Sequence, residues 1–298
     1  MESRATIHAV ATRLTAAAAA IGRVLMSTPV LLLASIAGAG ALIASYSLLP
    51  TTFDVDAQTE SVDLISSSVA RPKWAIRNAQ MFRQDDGNVG KPFSGVVQPA
   101  AGVGISMSRI ASGPLRLRFL GQSSAPALSV FEESGRFVGD IYGRTTIRID
   151  QTSSHAEGSS IVFPLFGKLT IGQEVNMAPV IEVGLIRHGV VRLTGHSPFS
   201  RFRFEAGTID LSAGDRFQVV DPLGDGSGLV RADERPGLQC VYRVVGSRGL
   251  VSRFGAQGYD VATTLGARVR SDGVIQGLWA VFLFLFAARK LGHSSAKE

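Results

Sequence analysis

Leu115-Arg116-Leu117-Arg118-Phe119 alternates apolar and polar side chains residue by residue, as do Thr146-Ile147-Arg148-Ile149-Asp150 and Phe202-Arg203-Phe204-Glu205. A period of two sets one face of an extended chain on a core and the other in water. Between Trp74 and Arg270 the pattern recurs, and Ser160 to Phe166, Val180 to Ile186, Val190 to Thr194, Phe217 to Val220 and Val241 to Val245 are further predicted strands. Turn-forming clusters separate them: Asp85-Asp86-Gly87-Asn88, Glu133-Ser134-Gly135, His188-Gly189, Ser212-Ala213-Gly214-Asp215, Pro222 to Gly228 and Ser247-Arg248-Gly249. Many short strands at ~8–12 residue spacing, with no long amphipathic helix among them, predict a mostly β, antiparallel sandwich or jelly-roll-like domain over residues 74–270.

Two apolar stretches bracket this region. Val24 to Leu49 runs 26 residues without a charge, more than the ~20 needed to cross ~30 Å of hydrocarbon as a helix. Pro29 falls in its first turns, where a missing amide donor costs little. Small residues recur four apart, Ala37, Ala41 and Ser45 on one stripe and Ala34 and Gly38 on another, and small side chains let helices approach closely in lipid. Ala37-Gly38-Ala39 and Ala39-Gly40-Ala41 also offer signal-peptidase spacing, but the apolar run continues well past them, so an uncleaved signal anchor over 23–49 is favoured. The second stretch, Gly273 to Ala288, has 16 uncharged residues, about 24 Å of helix. It reaches Leu291 if Arg289 and Lys290 snorkel to the headgroups, giving a second predicted transmembrane helix over 273–291. A buried element of the β-domain is the alternative, since length alone does not separate the two.

Charge orients the picture. Arg4, Arg13 and Arg23 precede the first stretch, whereas Asp54, Asp56, Glu60 and Asp63 follow it. Basic residues stay in the cytoplasm, so the N-terminus is expected inside and the β-domain outside. Arg289, Lys290 and Lys297 place residues 292–298 back in the cytoplasm. Of the formal +6, the two tails supply +4, and the remainder carries 24 basic against 22 acidic side chains. The basic balance therefore reports membrane orientation rather than a nucleic-acid partner. Residues 1–22 show the three-and-four apolar spacing of an amphipathic segment (Ile7, Val10, Ala11, Leu14, Ala18, Ile21). Residues 50–73 read as a polar linker, with Thr59 to Ser68 a short helix or part of the linker. Twenty-five Arg against five Lys, with abundant Ala and Gly, point to a GC-rich bacterial genome. The domain then lies in the periplasm, its lone Cys240 a buried apolar residue rather than half of a disulfide.

No catalytic signature stands out. His155, His188 and His196 lack metal-ligand spacing, and the chain has one thiol. The nucleophile elbow and the phosphate-cradling glycine loop are absent from the sequence. The loop Asp221 to Gly228, with Asp233 and Glu234 beyond it, reads as a hairpin connection rather than a calcium loop. In Pro198 to Phe204 the alternation assigns Phe202 and Phe204 to the core and Arg201 and Arg203 to solvent. Arg201, Arg203 and Arg192 are thus a candidate strip for an anionic ligand, while Ala37, Gly38, Ala41 and Ser45 are candidate helix-packing positions. No cofactor or metal is expected. The sequence leads to a non-enzymatic, two-pass inner-membrane protein whose periplasmic domain binds itself or other envelope proteins. Its alternative is an accessory that presents a polysaccharide or lipid to a synthase or exporter. A carboxylate hydrolase using Asp221 and Asp225 ranks third.

Overall fold

The computed structural model describes residues 37–38, 40–41, 43–46, 49–83, 89–150, 160–172, 185–198, 201–253 and 256–294. The chain divides into Met1–Leu49 and Pro50–Glu298. In the first unit the described residues between 37 and 46 are helical, with Ala37, Gly38 and Ala41 exposed and Ser45 half-buried.

The second unit is β throughout its described length until residue 264, and every strand pairing in it is antiparallel. Its first strands are β1 (Thr51–Thr59) and β2 (Ser61–Ser66), so residues 50–73 are not a linker. Phe53, Val55 and Ala57 point into the core while Asp54, Asp56 and Gln58 point out. The acids that make this segment look like a tether are the solvated face of an alternating strand. Between β1 and β2 the chain turns sharply at Glu60, where the Thr59 hydroxyl accepts the Ser61 amide at 3.2 Å.

The strands that follow are β3 (Trp74–Arg83), β4 (Lys91–Pro99), β5 (Gly104–Ser108), β6 (Leu115–Leu120), β7 (Pro126–Phe131), β8 (Phe137–Tyr142) and β9 (Arg144–Ile149). The second half supplies β10 (Ile161–Ile171), β11 (Ile186–His196), β12 (Arg203–Leu211), β13 (Asp215–Pro222), β14 (Gly226–Ala232), β15 (Leu238–Arg253) and β16 (Ala256–Val261). All sixteen belong to one hydrogen-bonded network. One arm runs from β10 through β2, β5, β6, β9, β3, β4 and β7 to β8; another runs from β15 through β1 and β11 to β12.

β10 and β15 join the arms by changing partners along their length. Ile161 to Gly167 of β10 face β14, and Gly167 to Ile171 face β2. Leu238 to Gly246 of β15 face β1, with β14 on the other side over Gln239 to Arg243. Gly246 to Arg253 face β13, with β16 beside them. Because β13 also pairs with β10, the circuit β10–β14–β15–β13 closes on itself. Two expected separators therefore lie inside strands: His188-Gly189 in β11, and Ser247-Arg248-Gly249 in the second half of β15. Nor is Pro222 to Gly228 a hairpin, since β13 and β14 share the neighbours β10 and β15 but do not pair with each other. The expected turn at residues 85–88 and most of the strand at 180–186 fall outside the described residues.

At the switch in β10 the backbone of Gly167 has φ +142°, and a Cβ there would collide with the Ile65 carbonyl oxygen. Only glycine fits such a crossing. The Tyr242 hydroxyl donates to the Gly167 carbonyl at 2.6 Å and pins the switch from β15. Aromatic rings pack across the core between strands that are not neighbours in the sheet. Trp74 of β3, 1% exposed, lies 5.3 Å edge-on to Phe163 of β10 and 6.1 Å from Phe119 of β6, and its indole donates to the Pro164 carbonyl at 2.9 Å. Phe53 of β1 meets Phe217 of β13 at 6.2 Å. Cys240 is fully buried in this core, and burial raises its thiol far above the ordinary value.

Two helices close the unit. α1 (Leu265–Ser271) is capped by Thr264, whose hydroxyl accepts the Ala267 amide at 3.2 Å. Its Arg268, 7% exposed, donates to the hydroxyls of Thr263 at 2.5 Å and Thr51 at 3.0 Å, fixing the helix to the start of β1. α2 (Gly273–Ser294) starts at once, with the Asp272 carboxylate accepting the Val274 amide at 2.9 Å. Among the described residues no helix is long and apolar enough to cross a membrane. This departs from the bracketing helices read from the sequence. In α2 the uncharged run ends at Arg289-Lys290, about 24 Å along a helix against ~30 Å of hydrocarbon; most of Val24 to Leu49 lies outside the described residues.

Asp215 of β13 is wholly buried and clamped by Arg253 of β15, Nε to Oδ1 at 2.6 Å and Nη2 to Oδ2 at 2.9 Å. Burial alone would raise its carboxyl, but Arg253 and the Ser212 amide favour the charged form more and hold it below the ordinary value. A carboxylate depressed in the folded state adds stability above its unfolded pKa, about 3.9, and loses it as pH falls through the folded value. Asp215→Asn is therefore expected to lower Tm at pH 7, with the gap to the natural chain narrowing below about pH 4 in a pH-dependent melting series. Trp74→Ala, which removes both ring contacts and leaves a cavity, should cost about 3–5 kcal/mol in denaturant unfolding.

Candidate functional site

The solvated face of β11, β1 and β15 mixes acidic and basic side chains. Cross-strand register places Arg192 beside Asp54, and Asp54 beside Arg243, in one row over three strands. Asp56 lies in the next row, between Val190 and Val241, and Gln58 in the row after, between His188 and Gln239. The rows line two adjoining depressions. One, about 380 Å³, runs from Asp54, Asp56, Arg192 and Arg243 to Glu205 of β12. The other, about 220 Å³, continues over Asp56, Gln58 and His188 to Asp233, Arg235 and Gly237.

Both walls have identifiable supports. Asp54 is held by the Arg243 guanidinium on one side and receives the Thr194 hydroxyl at 3.4 Å on the other. The bond to Asp54 raises Arg243 above the ordinary guanidinium value. Residues 233–237 are shaped from beneath by Arg109, 2% exposed, whose Nη1 donates to the carbonyls of Asp233 at 2.5 Å, Arg235 at 3.0 Å and Gly237 at 3.1 Å. Nε of the same side chain reaches the Gly113 carbonyl at 3.3 Å. Burial lowers its guanidinium pKa and the nearby Asp233 opposes that shift. From the outer side, Gln58 Nε2 donates to the Pro236 carbonyl at 2.8 Å.

The arginine strip read from the sequence does not assemble as a strip. Arg192 lies among Asp54, Asp56 and Glu205, so its surroundings are of mixed sign. Arg203 opens β12 opposite His196, four residues along β11 from Arg192, with Glu205 opposite Thr194 in between. Arg201 precedes the strand and is exposed. The alternation expected for Phe202 also fails: it lies before β12 and is 76% exposed, while Phe204 is half-buried. His188 lines the smaller depression, and His155 is outside the described residues. Asp221 and Asp225 flank the connection between β13 and β14, away from the depressions. Among the described residues no three His, Cys, Asp or Glu side chains gather as a metal site. Among the described residues no heavy atom lies within 4 Å of where a Cβ on Gly38 would stand.

Asp54, Asp56 and Gln58 are the residues sequence reasoning missed, because they belong to the strand taken for a linker. The available signal was the alternation Phe53-Asp54-Val55-Asp56-Ala57. The site presents charged, amide and imidazole groups with no Phe, Tyr or Trp among its lining residues, a surface suited to hydrogen bonding with a polar partner. No protein-family model, characterised protein or solved structure matches the chain.

Removing Arg109 strands several carbonyl groups at once. Arg109→Ala is expected to cost at least about 2 kcal/mol and to expose residues 233–237 to limited proteolysis. Arg109→Lys should rescue part of it, because an ammonium carries three donors for the carbonyls that Nη1 serves but has none where Nε reaches Gly113.

Proposed function

We propose that the protein is a non-enzymatic component of a bacterial cell envelope, anchored to the inner membrane at both ends of the β-unit. The β-unit stands in the periplasm and docks on other envelope proteins or on copies of itself. The observation that carries this reading is the surface of α2. Leu278, Trp279, Val281, Phe282, Leu283 and Phe284 are each between 51% and 72% exposed. Four successive residues, Val281 to Phe284, point in every direction around a helix, so no neighbour packed on one side could cover them. A patch of this kind calls for lipid or another protein around it. The uncharged part of α2 fits a shallow or tilted anchor, with Arg289 and Lys290 at the headgroups. No linker separates α2 from α1, and the buried Arg268 holds α1 to β1, so whatever holds α2 also holds the β-unit close.

The mixed-charge depressions favour a second reading, in which the β-unit presents a polar ligand to a membrane enzyme or exporter. Their lining of Asp, Arg, Gln and His side chains offers both donors and acceptors to such a ligand.

Single cysteines test the anchor without background, because Cys240 is buried and its thiol is unreactive. Leu283 and Val138 are 59% and 61% exposed in the protein itself, so unequal labelling of cysteines placed there reports what covers them in the cell. Leu283→Cys is expected to react with a membrane-impermeant maleimide at least about tenfold more slowly than Val138→Cys, because a thiolate does not form in hydrocarbon. Equal rates would remove the lipid anchor. A monomer in mild detergent, with no co-purifying protein, would remove the assembly role.

A further inference from the structure

The opposite arm of the β-unit collects arginines that no motif in the sequence brings together. On the outer face of β6 and β9, Arg116 stands directly opposite Arg148, Arg118 opposite Thr146, and Leu120 opposite Arg144. Their neighbours Leu115, Leu117, Phe119, Ile147 and Ile149 are all buried, which turns the arginines outward. Opposed side chains are ~4.5–5.5 Å apart at Cβ and alternate residues of one strand ~6.6–6.8 Å apart. Four guanidiniums therefore share a patch on the order of 13 Å long. Like charges directly opposite each other disfavour a sheet unless something compensates them. Asp150 bonds Arg148 at 3.0 Å, and Asp63 of β2 lies two strands away from Arg118. Among the described residues Arg118 and Arg144 have no ion pair.

Beside this ridge lies a strand of small side chains. The outward residues of β5 are Gly104, Ser106 and Ser108, facing Leu120, Arg118 and Arg116 on one side and Ile65, Asp63 and Ser61 on the other. Ser106 and Ser108 keep the floor low and line it with hydroxyls, and the Leu120 side chain leans over Gly104 to close that end. At one end Ile65 and Leu120, 53% and 48% exposed, flank Gly104.

We infer that this face binds an acidic polysaccharide, a linear sugar polymer bearing carboxylates, laid along β5 with its charges on Arg116, Arg118, Arg144 and Arg148. Guanidinium forks match carboxylates in two-pronged fashion. The serine hydroxyls meet sugar oxygens, and Ile65 and Leu120 receive the C–H face of a ring. Single-stranded nucleic acid fits less well, because it needs a run of exposed rings and Phe82, in line with Thr146, is half-buried. This inference does not rest on the membrane anchor or on the depressions beside Asp54.

The test uses the full chain in mild detergent and titrates polygalacturonate, with polyphosphate, an oligothymidylate and neutral dextran as comparisons. Polygalacturonate is expected to bind with an affinity that falls as salt rises, and dextran not to bind. R118E/R144E should weaken polygalacturonate binding by at least about tenfold, whereas the charge-matched R136E/R248E should leave it unchanged. R118Q/R144Q, which introduces no repulsion into the sheet, should show the same loss in smaller measure and covers the case in which the reversal fails to fold. Absence of polygalacturonate binding, equal binding by R118Q/R144Q and the natural chain, or tighter binding of polyphosphate or oligothymidylate would each overturn the inference.

Discussion

The β-unit depends on two strands that each serve two sets of partners. β10 passes from β14 to β2 at Gly167, and β15 passes from β1 and β14 to β13 and β16 near Gly246. A sheet that only added strands at its edges would keep one face wet, and its alternating pattern would have no core to point into. Closing the circuit through β13 and β14 gives Phe53, Phe163, Phe217 and Trp74 a common interior. The long arm from β2 to β8 then extends from that interior rather than forming a second domain.

Arg109, Arg268 and Asp215, charged groups inside or against this core, are each met by groups that hydrogen-bond them. Arg109 is fanned over backbone carbonyls, Arg268 reaches threonine hydroxyls, and Asp215 takes the two prongs of Arg253. An unmet buried charge would cost more than any of these contacts returns. Each charge also ties segments far apart in sequence: β5 to the 233–237 loop, β1 to α1, and β13 to β15. Polar specificity and chain closure therefore reside in the same residues.

The outward faces divide by chemistry. Strands β1, β11 and β15 present interleaved acids and bases, β6 and β9 an arginine ridge beside a strand of small side chains, and α2 large apolar side chains. Under the proposed function, α2 meets a lipid or protein layer while the sheet meets polar partners. The connection through α1 is short and internally capped, so the geometry between α2 and the sheet is set by the protein rather than by a tether.

Alternation by itself determined the β character, the inward and outward assignment of Leu115 to Phe119, and the burial of Cys240, because side-chain parity along a strand is a local property. The apolar, uncharged character of residues 273–288 was equally legible. Local signals misled where polarity stood in for disorder, as in Thr51 to Ser66, and where glycine stood in for a turn, as at Gly189 and Gly249. A glycine inside a strand and a glycine ending one carry the same letter; only the partner strands distinguish them. Which arginines meet was decided by tertiary structure alone. Arg192 and Arg203, eleven positions apart, are separated by Glu205, whereas Arg116 and Arg148, thirty-two positions apart, stand face to face. Strand register brings them there, and register is fixed by the core packing of the whole network rather than by any segment read in isolation.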